Sequence, residues 1–141
     1  MLRALYREGV AGERLALHVR VGCAVVLAIN TAFIALDYYA FPERFDRFLA
    51  ARILLNGFLA YSMFHLARTH PRIAQSSVCL ATGAMLLTVV YGTGGAASEY
   101  YVGLILLFVG MPVLLPLTAF EAAGICSVLV LGFYVSPLAS G

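Results

Sequence analysis

The chain has 141 residues, of which 62% are hydrophobic and 11% charged, with a formal net charge of +2 and a mean hydropathy of +0.94. A soluble domain usually carries about 25% charged residues, so this chain has too little polar surface to face water, and its solvent is expected to be lipid. The small net charge gives no basis for nucleic-acid binding, and the length suits a single domain over residues 1–141.

Taken in order, MLRALYREGVAGER is too charged for the apolar core of a signal peptide. Arg3, Arg7 and Arg14 alternate there with Leu2, Leu5 and Val10, as in a short segment lying on a membrane surface, and Gly9 and Gly12 are expected to weaken any helix. A first span is predicted over residues 15–39, since about 20 apolar residues cross a bilayer core of roughly 30 Å. Ala24, Ala28 and Ala32 share one face of it, a spacing that lets helices approach closely. Asp37, Tyr38 and Tyr39 end it at an interface.

The polar loop AFPERFDR contains Pro42, and a second span follows over 48–67. Arg52 lies in its first turn, able to snorkel to the headgroups or to pair with Asp37 or Glu99. Asn56 lies deeper and needs a partner. RTHPR is the second loop, and a third span covers 73–91. After a Gly- and Ala-rich loop, a fourth span is expected over 100–119. Pro112 and Pro116 lie four apart on one face of it and make it the hinge candidate. The fifth span covers 120–136 and is entered through Glu121. Six arginines lie on the side of the N-terminus and three on the other, which puts the N-terminus in the cytoplasm. The expected fold is thus an all-α integral membrane bundle of five helices, multi-pass.

With that topology Asp37, Tyr38, Arg52, Tyr91, Glu99, Tyr100 and Tyr101 share the outward face. Two readings stay open. They line a pocket for a small molecule, with apolar walls and a few polar anchors, or they form an ordinary aromatic belt with solvated loop charges. His18, His65 and His70 collect on the inward side, where unliganded interfacial histidines are the expectation. Cys23, Cys79 and Cys126 each lie in or beside an apolar run and are read as unpaired buried thiols. No phosphate-binding glycine loop, nucleophile set or metal-ligand motif occurs, so no metal, no cofactor and no catalytic activity of the chain itself are expected.

The stretch Ser98-Glu99-Tyr100-Tyr101-Val102-Gly103-Leu104-Ile105-Leu106 resembles an S-x-Y-Y-x-G-L-x-L pattern in the multi-helix membrane sensor region at the N-terminus of some bacterial sensor histidine kinases and class III nucleotide cyclases. Asp37, Tyr38 and Tyr39 ahead of Pro42, and Arg52 opening the second span, are similar too. The resemblance implies six helices feeding a cytoplasmic coiled coil and an output kinase or cyclase. This chain would supply five of the six, within a longer parent. It would act as a sensory and anchoring domain, homodimeric in the bilayer, answering a small-molecule ligand or a bilayer change. The competing expectation is a stand-alone multi-pass protein, either a transporter-like subunit or a structural partner of a complex.

Overall fold

A computed structural model describes the backbone of residues 2–94, 98, 103, 105, 110, 115 and 117–139, with side chains described from residue 11 to 134 within that set. Among the described residues all regular structure is helical. Helix α1 spans Leu2–Ala40, α2 spans Phe45–Tyr61, α3 spans Pro71–Gly92 and α4 spans Ala119–Ala139. Three helical stretches are long and apolar enough to cross a membrane: Ala11–Ala40, Pro42–Thr69 and Pro71–Gly92. A shorter apolar stretch covers Ala119–Tyr134. This architecture fits a membrane helical bundle. The expected fourth span, with Pro112 and Pro116, lies almost wholly outside the described residues.

Both turns between the three long stretches have the same cause. A residue that precedes proline is pushed out of the helical region by the pyrrolidine ring. Phe41, before Pro42, has φ −138° and ψ 60°, and His70, before Pro71, has φ −140° and ψ 70°. Each proline then opens the next helix, where its missing N–H costs nothing. Pro42–Arg44 forms one turn of 3-10 helix before α2 begins. The polar loop expected over residues 40–47 is therefore mostly helical.

At its other end α2 passes through a π-helical turn, Ser62–Leu66, and closes with the α-helical turn Ala67–Thr69. Helix α1 also departs from expectation. It is continuous for 39 residues, about 58 Å at 1.5 Å per residue, and runs through Gly9 and Gly12. Two glycines cost about 1 kcal/mol each in a helix interior, too little to interrupt a helix this long. Gly94, with φ +117°, takes the left-handed conformation just past α3, which only glycine adopts without strain.

Among the described residues the helices pack through an apolar seam. Val19 and Cys23 of α1, Phe48, Leu55 and Leu59 of α2, Val78, Cys79, Met85 and Val89 of α3, and Ile125 and Leu129 of α4 form it. Outside the seam, large apolar side chains face away from the chain on every helix, among them Leu36, Leu54, Ile73, Phe120 and Leu131. Water would not support this pattern, but lipid tails would. Ala24, Ala28 and Ala32 are on that outer surface too, so the small-residue face of α1 packs against no other described helix.

Close packing is marked by two glycines. A Cβ at Gly92 would meet the Phe48 ring at 2.6 Å, and one at Gly83 would overlap Leu129. Tyr91 ties α3 to α4 by donating its hydroxyl to the Phe133 carbonyl, with the Gly132 carbonyl 3.2 Å away. Tyr91→Phe keeps the ring against Phe133 and removes the donor. It is expected to lower stability by about 0.5–1.5 kcal/mol, read as a lowered thermal midpoint in detergent.

Candidate functional site

The polar groups of the bundle converge between α1 and α2. On α1, Asn30 and Asp37 lie two turns apart on one face, about 10 Å along the axis. On α2, Arg52 and Asn56 lie four apart on one face. The two helices run antiparallel from the Phe41–Arg44 turn, so these faces meet. The Arg52 Nε donates to Asp37 Oδ2, and Nη2 donates to Asp37 Oδ1 at 3.2 Å, a two-pronged ion pair. Nη1 donates to Asn30 Oδ1 at 2.7 Å. Asn30 Nδ2 in turn donates to Asn56 Oδ1 at 2.8 Å and lies 3.2 Å from the Arg52 carbonyl. Asn56 Nδ2 donates to Thr31 Oγ1 at 3.2 Å, and Thr31 donates to the Leu27 carbonyl at 2.7 Å. The guanidinium carbon also lies 5.2 Å from the centre of the Phe33 ring, in cation–π range.

Arg52 is 1% exposed, Asp37 is fully buried and Asn30 is 3% exposed. Such burial strips the water from both charges, a cost of several kcal/mol per ion that the Coulomb attraction offsets only with full hydrogen bonding. The planar guanidinium meets that demand, since its fork matches a carboxylate on one side and leaves Nη1 for an amide oxygen on the other. Arg52 thus turns inward to Asp37 and Asn30 and does not snorkel. A carboxylate held across the helix pair is a fixed partner, which a mobile headgroup is not.

The other expected site residues are distributed differently. Tyr38 is exposed beside the pair, with its ring edge-on to Tyr39 at 5.5 Å and to Phe45 at 5.3 Å. This is an aromatic collar at the end of α1. Tyr91 points to α4, as described above. Glu99, Tyr100 and Tyr101 lie outside the described residues, as do the hinge candidates Pro112 and Pro116. Arg44, in the polar loop ahead of the second span, donates to the Gly92 carbonyl and links the first turn to the end of α3.

Asn30 joins the cluster without having been singled out among the candidate site residues. It was legible as an intramembrane amide but not as the group that bridges Arg52 to Asn56. Its seven-residue spacing from Asp37, set against the four-residue spacing of Arg52 and Asn56, was the available signal. The capping of α4 was equally legible in Thr118-Ala119-Phe120-Glu121, a Thr-x-x-Glu capping box. Glu121 Oε2 accepts from the Thr118 backbone N–H and hydroxyl, each at 2.9 Å, and the Glu121 N–H donates to Thr118 Oγ1 at 3.3 Å.

The three histidines are exposed, and no three His, Cys, Asp or Glu side chains converge among the described residues. Cys23, Cys79 and Cys126 are free thiols. Comparison of the chain with protein-family models, with curated proteins and with solved structures finds no match.

Proposed function

We propose that this chain is the membrane-embedded sensory and anchoring region of a bacterial signalling receptor. In this reading it crosses the inner membrane five times with its N-terminus in the cytoplasm, pairs with a second copy, and passes a signal to a cytoplasmic kinase or cyclase belonging to the same receptor. The observation that supports it is the Arg52–Asp37 pair with its amide bridge. Ionisable groups within membrane helices are expensive and tend to mark functional sites. A buried ion pair adds little stability compared with apolar residues of similar size. What it does supply is a register, because the bonds from Arg52 to Asp37 and Asn30 and from Asn30 to Asn56 all require these two helix faces to meet in this alignment. A ligand or a bilayer change that favours a shifted arrangement must compete with this one, and its differential affinity for the two sets the size of the signal.

The competing reading is a stand-alone multi-pass protein, such as a transporter-like subunit. Among the described residues the cluster joins two amides and a hydroxyl to one ion pair, and this arrangement suits a latch better than a conduction path. The readings separate in a reporter strain carrying the natural gene product. Asp37→Asn and Arg52→Gln should change reporter output at least tenfold, the effect of roughly 1.4 kcal/mol on a two-state equilibrium, with membrane insertion unaltered. Unchanged output in both variants, together with solute flux in liposomes, would remove the receptor reading.

A further inference from the structure

The last turns of α2 hold one residue more than its packing face needs. Phe48, Arg52, Leu55, Leu59 and Ser62 are buried at steps of four, three, four and three residues, the spacing of one face of an α-helix. The next buried residue is Ala67, five further on. In a regular α-helix five residues turn through about 500°, which would put Ala67 off that face. The π-helical turn Ser62–Leu66 takes up the excess. The Ala67 N–H donates to the Ser62 carbonyl, so these five residues make a single turn. We infer that this turn is a switchable joint, at which α2 exchanges between the π arrangement, with Ala67 on the seam, and a plain α-helix, with Leu66 in its place.

Three features point to two arrangements of similar energy. First, both side chains that compete for the seam position are apolar. Ala67 is fully buried, and Leu66, four residues after Ser62, is half-buried against the same core. Second, no residue of the turn imposes it. Residues 62–66 include neither proline nor glycine, the usual causes of a break in a helix, so packing against α1 and α3 is what holds the π geometry. Third, the π turn contains an unpaired hydroxyl. Ser77, Thr82 and Thr88 each donate to the carbonyl four residues earlier, at 2.7, 2.8 and 2.9 Å. Ser62 is fully buried and its Oγ has no hydrogen-bond partner, which offsets part of what the packing of Ala67 contributes.

The exchange turns the end of α2 by about 100°, the angular worth of one residue. It swings the exposed Arg68 around the bundle surface while Arg52 and Asn56 keep their bonds to α1. The junction at His70, already outside the helical region at φ −140° and ψ 70°, absorbs the rotation ahead of α3. Helix register, and no signalling output, is what the test reads, so the receptor reading stands or falls by its own experiment.

The test uses the full chain in lipid nanodiscs, with Cys23, Cys79 and Cys126 replaced by alanine. Spin labels are attached at Arg68→Cys and Ala119→Cys, two exposed positions on the closing turn of α2 and at the start of α4. Pulsed electron spin resonance should show two distances, one for each arrangement. Deletion of Phe64, which is 63% exposed, shortens the step from Ser62 to Ala67 to four residues. It should leave only the distance with Ala67 on the seam, and keep or raise the thermal midpoint. Deletion of Gly57, where even a Cβ would touch nothing, takes a residue from the regular part of α2 and moves Leu59 and Ser62 off the face set by Arg52 and Leu55. It should lower the midpoint by on the order of 5 °C. A single distance in the labelled chain, retained when Phe64 is deleted, would overturn the inference. So would a midpoint loss on deleting Phe64 as large as that on deleting Gly57.

Discussion

Removing one member of the Arg52–Asp37 pair is expected to destabilise the bundle by about 3–5 kcal/mol, the usual cost of leaving a buried charge without its partner. Arg52→Ala takes the cation away from the buried Asp37 carboxylate, and also removes the group that holds Asn30 Oδ1. Asp37→Ala strands a guanidinium that still touches Asn30 and Phe33, so its cost falls at the lower end of that range. The double replacement Asp37→Leu with Arg52→Met should recover most of the loss, since well-packed apolar residues often match a buried ion pair. Reversible unfolding in mixed micelles, followed by circular dichroism, gives the three values. Near-additive losses in the double variant would mean that the two side chains act independently and that the pair does not hold α1 to α2.

The second large effect is expected at Gly83. A Cβ there would overlap both δ carbons of Leu129, and Leu129 is itself buried in the seam between α3 and α4. Gly83→Ala therefore forces Leu129 off its place or pushes α4 outward, at a cost of about 1–3 kcal/mol. The gain in helix propensity from Gly to Ala, about 1 kcal/mol, works in the other direction but is the smaller effect in so tight a contact. In a Leu129→Ala background the clash disappears, and Gly83→Ala should then be neutral or mildly stabilising. That reversal of sign is the diagnostic, because contacting residues show such coupling and distant ones do not. A penalty of the same size in both backgrounds would place the effect of Gly83 elsewhere than against Leu129.

These two sites differ in how far the sequence reveals them. Arg52 in an apolar run demands a partner on any reading, and the sequence offers two acids for it, Asp37 at the end of the preceding helix and Glu99. The pairing is legible because a charge in lipid has few options. The Asn30 bridge is not legible in the same way, because an amide tolerates several partners and only the meeting of two helix faces selects one. The Gly83–Leu129 contact is not legible at all, since glycine in an apolar helix carries no sign of what packs against it.

Helix ends follow the same division. Pro42 and Pro71 announce both turns through a local steric rule. The continuation of α1 through Gly9 and Gly12 depends instead on the cooperativity of a long helix, which two weak positions do not break. The π-helical turn at Ser62–Leu66 has no proline or glycine to mark it. Of the expected outward group, Asp37 and Arg52 are joined, Tyr38 lies at the collar, and Tyr91 is committed to α4.

The most direct measurement is a proximity test of residues 30 and 56 in native membranes. With Cys23, Cys79 and Cys126 replaced by alanine, cysteines at Asn30 and Asn56 are treated with a short thiol-bridging reagent. The Asn30 and Asn56 side chains meet at 2.8 Å in the bundle interior, so efficient bridging within one chain is expected. A cysteine at Leu54, 75% exposed on the outer face of α2, should give none with position 30. Bridging of 30 to 54 but not to 56 would contradict the α1–α2 register on which the ion pair, and the proposed switch, depend.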